Sequence, residues 1–402
     1  AEREIFEQNK VYGRDCVKLI HTSDWHLGKN LYEYSLLDDQ AHFLDWLLEL
    51  MEQEQVDALV IAGDVYHRPV PAADAVALFD RFLSRATLEL GVPILAVAGN
   101  HDSGARLEFA GALLRSVGYH IAGKPRKEML RVTLTDRHGP VVFWLLPYLF
   151  PADVRTLLPD SGARTFQAAY DALLEENLPH LDRSVRNVMI AHGFFAGLEP
   201  VILSESELSV GGMDAVGAAA FQAFDYAALG HLHAPQRVGE VARYSGSPLK
   251  YSLSEENQRK SVALVELGAP GSTAGIREIP VPALHDVRRI AGRFDDLMNP
   301  DHHENKCFED YVFAEISDEG VLYAMEKLRT LFPRILGVSL PFREPDGEAI
   351  QIGAARQRLS MEQHFARFYR ESTGEELPEE HEAVLEEIIQ SLEEERREVT
   401  QS

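Results

Sequence analysis

Val17-Lys18-Leu19-Ile20-His21-Thr22-Ser23-Asp24-Trp25-His26-Leu27-Gly28 decides how the rest of the chain is read. An apolar run, Val17–Thr22, ends directly in a polar cluster that offers Asp24 and His26 at i, i+2 spacing. The arrangement returns downstream. Leu59 to Ala62 runs into Gly63-Asp64, Ile94 to Ala98 into Gly99-Asn100-His101-Asp102, Val188 to Ala191 into His192-Gly193, and Ala228-Leu229 into Gly230-His231-Leu232-His233. Short runs this uniformly apolar predict strands covered on both faces. In an open α/β sheet, ligands gather just outside the carboxyl ends of the strands, so polar residues there converge however far apart they lie in sequence.

Between the strands the apolar spacing becomes helical. Residues 36–53 place Leu37, Ala41, Leu44, Leu47, Leu48 and Met51 on one face, and 72–90 place Val76, Phe79, Phe82 and Leu83 inward. Strand, helix and strand in alternation predict an α/β layered fold. Residues in the 130s and 141–146 are expected to pair around the turn Asp136-Arg137-His138-Gly139, and 188–191, 226–229 and 262–267 to add short buried strands. The Gly/Ala/Pro/Ser stretch 268–275 is a plausible boundary. Beyond it, a strand over 311–316 and a helix over 321–331 predict a smaller α/β segment.

The chain has 402 residues, 45% hydrophobic and 26% charged, the make-up of an ordinary globular protein of two or three domains. Cys16 and Cys307 have no disulfide or zinc-site spacing and are read as free thiols of a reducing cytosol. The longest apolar stretch, 141–150, contains Pro147 and is far too short to span a bilayer, so no membrane role is expected. The formal charge of −25 is unusual for an enzyme of nucleic acids, which commonly carries a basic footprint. Bound cations would offset part of it. Glutamates crowd the C-terminus, from Glu375 to Glu398.

Taken singly, each polar cluster has an ordinary explanation, such as a turn with local side-chain hydrogen bonds. Five at strand ends, in one chain, point together to a metal site. Aspartate, asparagine and histidine without cysteine suit manganese, iron or magnesium better than a thiolate zinc site.

With these motifs the sequence resembles the calcineurin-like metallophosphoesterase superfamily. His21 to Gly28 and Tyr244-Ser245-Gly246-Ser247-Pro248 resemble its SbcD branch, the nuclease subunits of bacterial SbcCD DNA-repair complexes. The resemblance runs from about Val17 to the C-terminus and is thinnest over 268–351. It implies a layered β-sandwich flanked by helices over 17–270, a small α/β capping domain that recognises DNA over 276–345, and C-terminal helices over 355–402. Residues 1–16 precede the usual start and are read as an extension or a cloning remnant.

The resemblance also implies roles. Asp24, His26 and His233 would hold one metal, and Asn100, His192 and His231 a second, with Asp64 bridging. Both would be divalent, manganese first, magnesium or iron otherwise. His101 would stay off the metals and act on the leaving oxygen. His67 would assist catalysis on DNA, or else be a surface turn histidine beside Arg68-Pro69. Histidines 42, 120, 138, 180, 285, 302, 303, 364 and 381 receive no role. His302-His303-Glu304 is read as a solvated loop.

Leu359, Met361, Phe365, Phe368 and Tyr369, then Leu377, Val384, Leu385, Ile388, Ile389 and Leu392, give apolar faces on two helices. Either they fold back on the core or, as the resemblance implies, they dock the coiled-coil base of the SbcC ATPase. The implied activity is cleavage of DNA, exonucleolytic from 3′ to 5′ on duplex ends and endonucleolytic on single strands and hairpins. It would belong to double-strand break processing by a homodimer within a heterotetramer in the nucleoid-associated cytoplasm. The alternatives are a phosphoesterase of small phosphoesters or cyclic nucleotides, and a non-catalytic scaffold for the ATPase.

Overall fold

A computed structural model of the chain describes residues 9–10, 15–197, 201–204, 215–303, 307–318, 320–340 and 378. The chain divides into two units, Ala1–Pro341 and Phe342–Ser402. The second unit, with the predicted C-terminal helices, lies outside the described residues apart from Pro378.

Two large sheets form the sandwich of the first unit. The first runs in the order Gly275–Pro280, Ser261–Leu267, Val17–Thr22, Ala58–Ala62, Ile94–Val97 and Tyr119–Ala122. Its last four strands are parallel, and Ser261–Leu267 is antiparallel to Val17–Thr22. The second runs Asn9–Lys10, Leu130–Asp136, Gly139–Leu146, Arg186–His192, Tyr226–Gly230, Ala242–Tyr244 and Gln236–Val238.

Alternation along each strand builds the sandwich. Side chains two apart share a face. Leu19, Ala58, Val60 and Ala62 therefore pack against Leu134, Phe143, Val188, Ile190 and Ala228 of the opposite sheet. Their neighbours Ile20, Leu59 and Ile61 turn outward onto Phe43, Leu47 and Phe82 of the flanking helices. Both faces of each central strand are dry, which is why the sequence shows continuous apolar runs.

The helix Leu37–Glu54 buries Phe43, Leu44, Leu47, Leu48, Leu50 and Met51. The next helix, Ala73–Ser84, buries Ala75, Leu78, Phe79 and Phe82. Val76, expected inward, is 43% exposed. One residue is a rotation of about 100° on a helix, so Ala75 takes the inward place and Val76 falls outside the stripe. The expected single helix over 72–90 also divides. After Ser84 it widens into a π-turn, Arg85–Glu89, in which the Leu90 amide donates to the Arg85 carbonyl at 3.0 Å.

The glycine-rich stretch 268–275 connects a hairpin. Gly275–Pro280 pairs antiparallel with Ser261–Leu267 and forms the edge of the first sheet. A separate parallel sheet follows, Val287–Gly292, Tyr311–Ile316 and Ile335–Ser339, with the helix Ala324–Arg329 packed on it through Ala324 and Leu328. That helix is shorter than the 321–331 expected, because Tyr323 before it has a left-handed backbone (φ 56°). Leu31, Leu36, Leu249 and Tyr251 meet Val287, Tyr311 and Leu336 in one apolar cluster that joins this small sheet to the sandwich.

Among the described residues no helix is long and apolar enough to cross a membrane.

Candidate metal centre

The strand ends bring all seven candidate ligands and both candidate catalytic histidines to one place. Asp24, His26 and Asp64 hang on adjacent parallel strands, whose loops are laced together by backbone bonds. The Asp24 amide donates to the Gly63 carbonyl (3.0 Å) and the His26 amide to the Asp64 carbonyl (2.9 Å). Trp25 points the other way, into the core. Its ring meets Phe43, Phe79 and Phe82 edge-on at 5.8, 6.1 and 5.1 Å, and Nε1 donates to Thr22 Oγ1. One large buried aromatic thus anchors the loop that presents a ligand on each side of it.

Backbone strain is concentrated here. Asp24 (φ 54°), His26 (φ 44°), Asp64 (φ 50°) and His231 (φ 121°) all have positive φ, a conformation costly without glycine. Such strain persists where the surroundings over-determine it, as at functional sites. Gly99 shows how tightly: a Cβ there would sit on the Asp64 carboxylate.

The ligand atoms fall into two groups. His26 Nε2 lies 3.2 Å from His233 Nε2, and a carboxylate oxygen of Asp24 lies within 4.8 Å of both rings' ligand atoms. In the other group Asn100 Oδ1 lies 3.0 Å from His192 Nε2 and 3.1 Å from His231 Nδ1. Asp64 Oδ2 sits between, 3.7 Å from His26 Nε2 and 3.5 Å from His192 Nε2. The Asp64 Oδ1 atom accepts from the His101 amide at 2.8 Å. Asp24, His26, Asp64, His192 and His233 are almost wholly buried.

These contacts fit divalent cations. His233 Nδ1 donates to Glu255 Oε1 at 3.0 Å, which leaves Nε2 as a lone pair aimed at another imidazole nitrogen. His192 Nδ1 donates to the Ala62 carbonyl at 2.8 Å, which turns its Nε2 toward the carbonyl oxygen of Asn100. Acceptors facing acceptors in a buried site call for positive charge between them. The titration behaviour agrees. Burial keeps His26 well below the usual histidine range and pushes His231 down to about 3. Burial also opposes protonation of His192, but the Asp64 carboxylate outweighs it and pushes that ring up to about 9, so a proton stands in for a cation. Ligation requires neutral imidazole, and a bound dication displaces that proton.

His101 and His67 flank the centre. The His101 ring meets His26 edge-on at 4.8 Å and stacks on His67 at 5.6 Å. Its Nδ1 lies 3.1 Å from the His67 carbonyl oxygen. Burial pushes His67 down to about 4, so its ring is neutral near pH 7.

Several further residues support the centre. Asp102 accepts from the amides of Val65, Tyr66 and Gly99 at 3.1, 2.9 and 3.0 Å, tying the Asp64 loop to the Asn100 loop. Gln40 donates to the His26 carbonyl at 2.9 Å and accepts from the Gly28 amide at 2.9 Å. Ser23 Oγ donates to Asp24 at 2.5 Å and lies 2.8 Å from Ser245 Oγ. Glu255 and Lys260 stand behind His233. Asp102 was legible within the Gly-Asn-His-Asp motif. Gln40, Glu255 and Lys260 have no motif around them, and only folding brings them in. Of the histidines set aside, His120 lies buried in the strand Tyr119–Ala122, and His302 is exposed with its Nδ1 3.4 Å from Asp296. His364 and His381 lie outside the described residues.

Residues 17–235, more than half of the chain, match the family described as calcineurin-like phosphoesterase. Residues 283–373 match the SbcD C-terminal domain, described as the type 5 capsule protein repressor C-terminal domain. Among solved structures, this chain is similar to a dimetal phosphatase from Danio rerio, at 12% identity over 67% of this chain and 100% of that one, with a TM-score of 0.38. With its buried aspartate–histidine clusters and these two matched segments, the chain belongs to the calcineurin-like phosphoesterase family and is a metal-dependent hydrolase of the SbcD nuclease type.

Proposed function

We propose that this chain is a two-metal DNA nuclease, exonucleolytic from 3′ to 5′ on duplex ends and endonucleolytic on single strands and hairpins, acting with an SbcC-type ATPase in double-strand break processing. The observation that carries the reading is Asp64 Oδ2 standing between His26 and His192, with a separate ligand group on either side. It supports Asp24, His26 and His233 as one metal's ligands, Asn100, His192 and His231 as the other's, and Asp64 as the bridge. The donor set favours Mn2+, with Mg2+ or Fe2+ as alternatives.

Bound cations supply Lewis acidity at the phosphoryl group. The chain's own residues do the rest. Asp64 holds the spacing between the two ligand groups. His101 keeps a proton on Nδ1 against the His67 carbonyl, which leaves Nε2 to carry the proton that the departing 3′-oxygen takes up as its bond to phosphorus breaks. His67, stacked behind, supports that ring and assists catalysis on DNA.

The SbcD C-terminal match supports DNA and an ATPase as partners. The proposed assembly is a homodimer inside a heterotetramer at the nucleoid. The −25 charge argues that the partner supplies much of the grip on DNA. End-labelled duplex DNA with manganese, with and without the ATPase, tests the proposal. Shortening from 3′ ends, accelerated by the ATPase and ATP, is expected. Intact DNA beside rapid turnover of a nitrophenyl phosphoester would instead establish a small-molecule phosphoesterase. Loss of both activities with metal bound would leave a scaffold.

A further inference from the structure

His233 differs from the other histidines of the centre in what holds its outer nitrogen. His192 is held by a backbone carbonyl, Ala62. The outer nitrogen of His26, Nδ1, is buried with no hydrogen-bond partner among the described residues. His233 Nδ1 instead donates to a carboxylate, Glu255 Oε1, at 3.0 Å. Glu255 is wholly buried, and its orientation is over-determined. Lys260 Nζ donates to Oε2 at 2.6 Å, and the Tyr251 amide donates to the same oxygen at 3.2 Å. Lys260 is itself fixed by the His233 carbonyl (2.9 Å), Ser247 Oγ (2.8 Å) and Gln258 Oε1 (2.7 Å). The lysine thus grips His233 from both ends, through its backbone and through the glutamate behind its ring.

Resting on the two-metal reading above, we infer that Glu255, clamped by Lys260, is a positioning residue that makes the Asp24–His26–His233 half of the centre the tighter metal site. The physical basis is direct. A carboxylate behind an imidazole fixes the Nδ1–H tautomer, orients the ring and raises the electron density at Nε2. A carbonyl, such as Ala62 behind His192, does so with a partial charge only. A charged residue this deep is costly unless paired, and Lys260 is the pair that lets Glu255 stay ionised there. The two halves of the centre, alike in ligand count, are therefore unequal in what stands behind them.

Manganese titration of the full chain, followed by calorimetry and by electron paramagnetic resonance, tests this. The native chain is expected to bind two ions with separable affinities. Glu255→Gln keeps the shape and removes the charge. It is expected to weaken one of the two sites by about ten- to a hundredfold and to leave the other within about threefold. Because this single substitution would leave the Lys260 ammonium buried without a counter-charge, Glu255→Gln/Lys260→Met is compared with it as a variant with neither charge, folding being checked by melting temperature, and the same selective loss is expected from it. Two sites of native affinity in either folded variant would overturn the inference while leaving the two-metal reading intact. Equal weakening of both sites would also overturn it. A native chain that binds no manganese would defeat the two-metal reading itself, and the inference with it.

Discussion

His101 Nδ1 lies 3.1 Å from the backbone carbonyl oxygen of His67, and this contact, made by a main-chain atom, sets the tautomer of the His101 ring. A carbonyl only accepts, so Nδ1 carries the proton and Nε2 is the atom free to exchange one. No side-chain substitution at position 67 removes that acceptor. His101→Ala should therefore leave manganese occupancy unchanged by elemental analysis and lower kcat on DNA by about a hundred- to ten-thousandfold. Metal lost together with activity would refute the separation of this ring from the ligand set.

Gly99 abuts the Asp64 carboxylate so closely that even a methyl group has no room. Gly99→Ala is expected to push Asp64 aside, destabilise the chain by about 1–3 kcal/mol and abolish binding of at least one metal. A variant with native melting temperature and full metal content would show that the loop yields without cost.

Arg186 and Asp136 form a buried, doubly bonded pair at 2.6 and 2.7 Å, and the same guanidinium reaches the Leu267, Gly268 and Gly139 carbonyls. It fastens the Asp136–Gly139 hairpin turn of one sheet to the end of a strand in the other. Burial alone would raise the Asp136 carboxyl, but the Arg186 hydrogen bonds outweigh it and hold the carboxyl below its usual range. A carboxyl lowered by folding stabilises above its unfolded pKa, about 3.9, and that contribution is lost as pH falls through the lower folded value. Asp136→Asn leaves the guanidinium buried without a counter-charge and should cost about 3–5 kcal/mol near pH 7. Its deficit against the native chain, read by denaturant melts at a series of pH values, should shrink below about pH 4. A deficit constant with pH would rule the pair out as its source.

Lys29 sits beside the centre with its Nζ 5.5 Å from the centroid of the Tyr251 ring, which itself borders His26 at 5.5 Å and His233 at 5.8 Å. In so acidic a chain, a cation here is suited to a DNA phosphate near the cleavage point. Lys29→Met is expected to raise KM for DNA about tenfold, to change kcat little, and to reduce the salt dependence of binding by about one phosphate contact. An unchanged salt slope would remove Lys29 from the DNA-binding surface.

The strands and the ligand motifs were legible because each is a local pattern. Ala58–Ala62 ends where its apolar run ends, since a strand dry on both faces favours apolar residues, and Val17–Thr22 follows the same pattern except for polar residues such as His21, whose buried ring is paired with Tyr226 and the Leu229 carbonyl. Local pattern misled where rotation about a helix decides. Val76 is as apolar as its neighbours, yet one step along the helix carried it into solvent and Ala75 into the core. The edge strand Gly275–Pro280 was hidden for a similar reason. Its residues are mostly exposed and show no buried run, and its place comes from pairing with Ser261–Leu267.

By itself, the sequence determined the residue types and their places at strand ends: Asp24, His26, Asp64, Asn100, His192, His231 and His233, with His101 among them. Only the tertiary structure decided which of them face one another, because pairing between distant strands depends on register and on the packing of two sheets. It alone set Asp64 between His26 and His192, placed the His67 carbonyl beside His101 Nδ1, and brought Glu255 and Lys260 behind His233. A ligand's identity is written in its side chain, whereas its charge state, tautomer and direction are set by neighbours that the fold supplies.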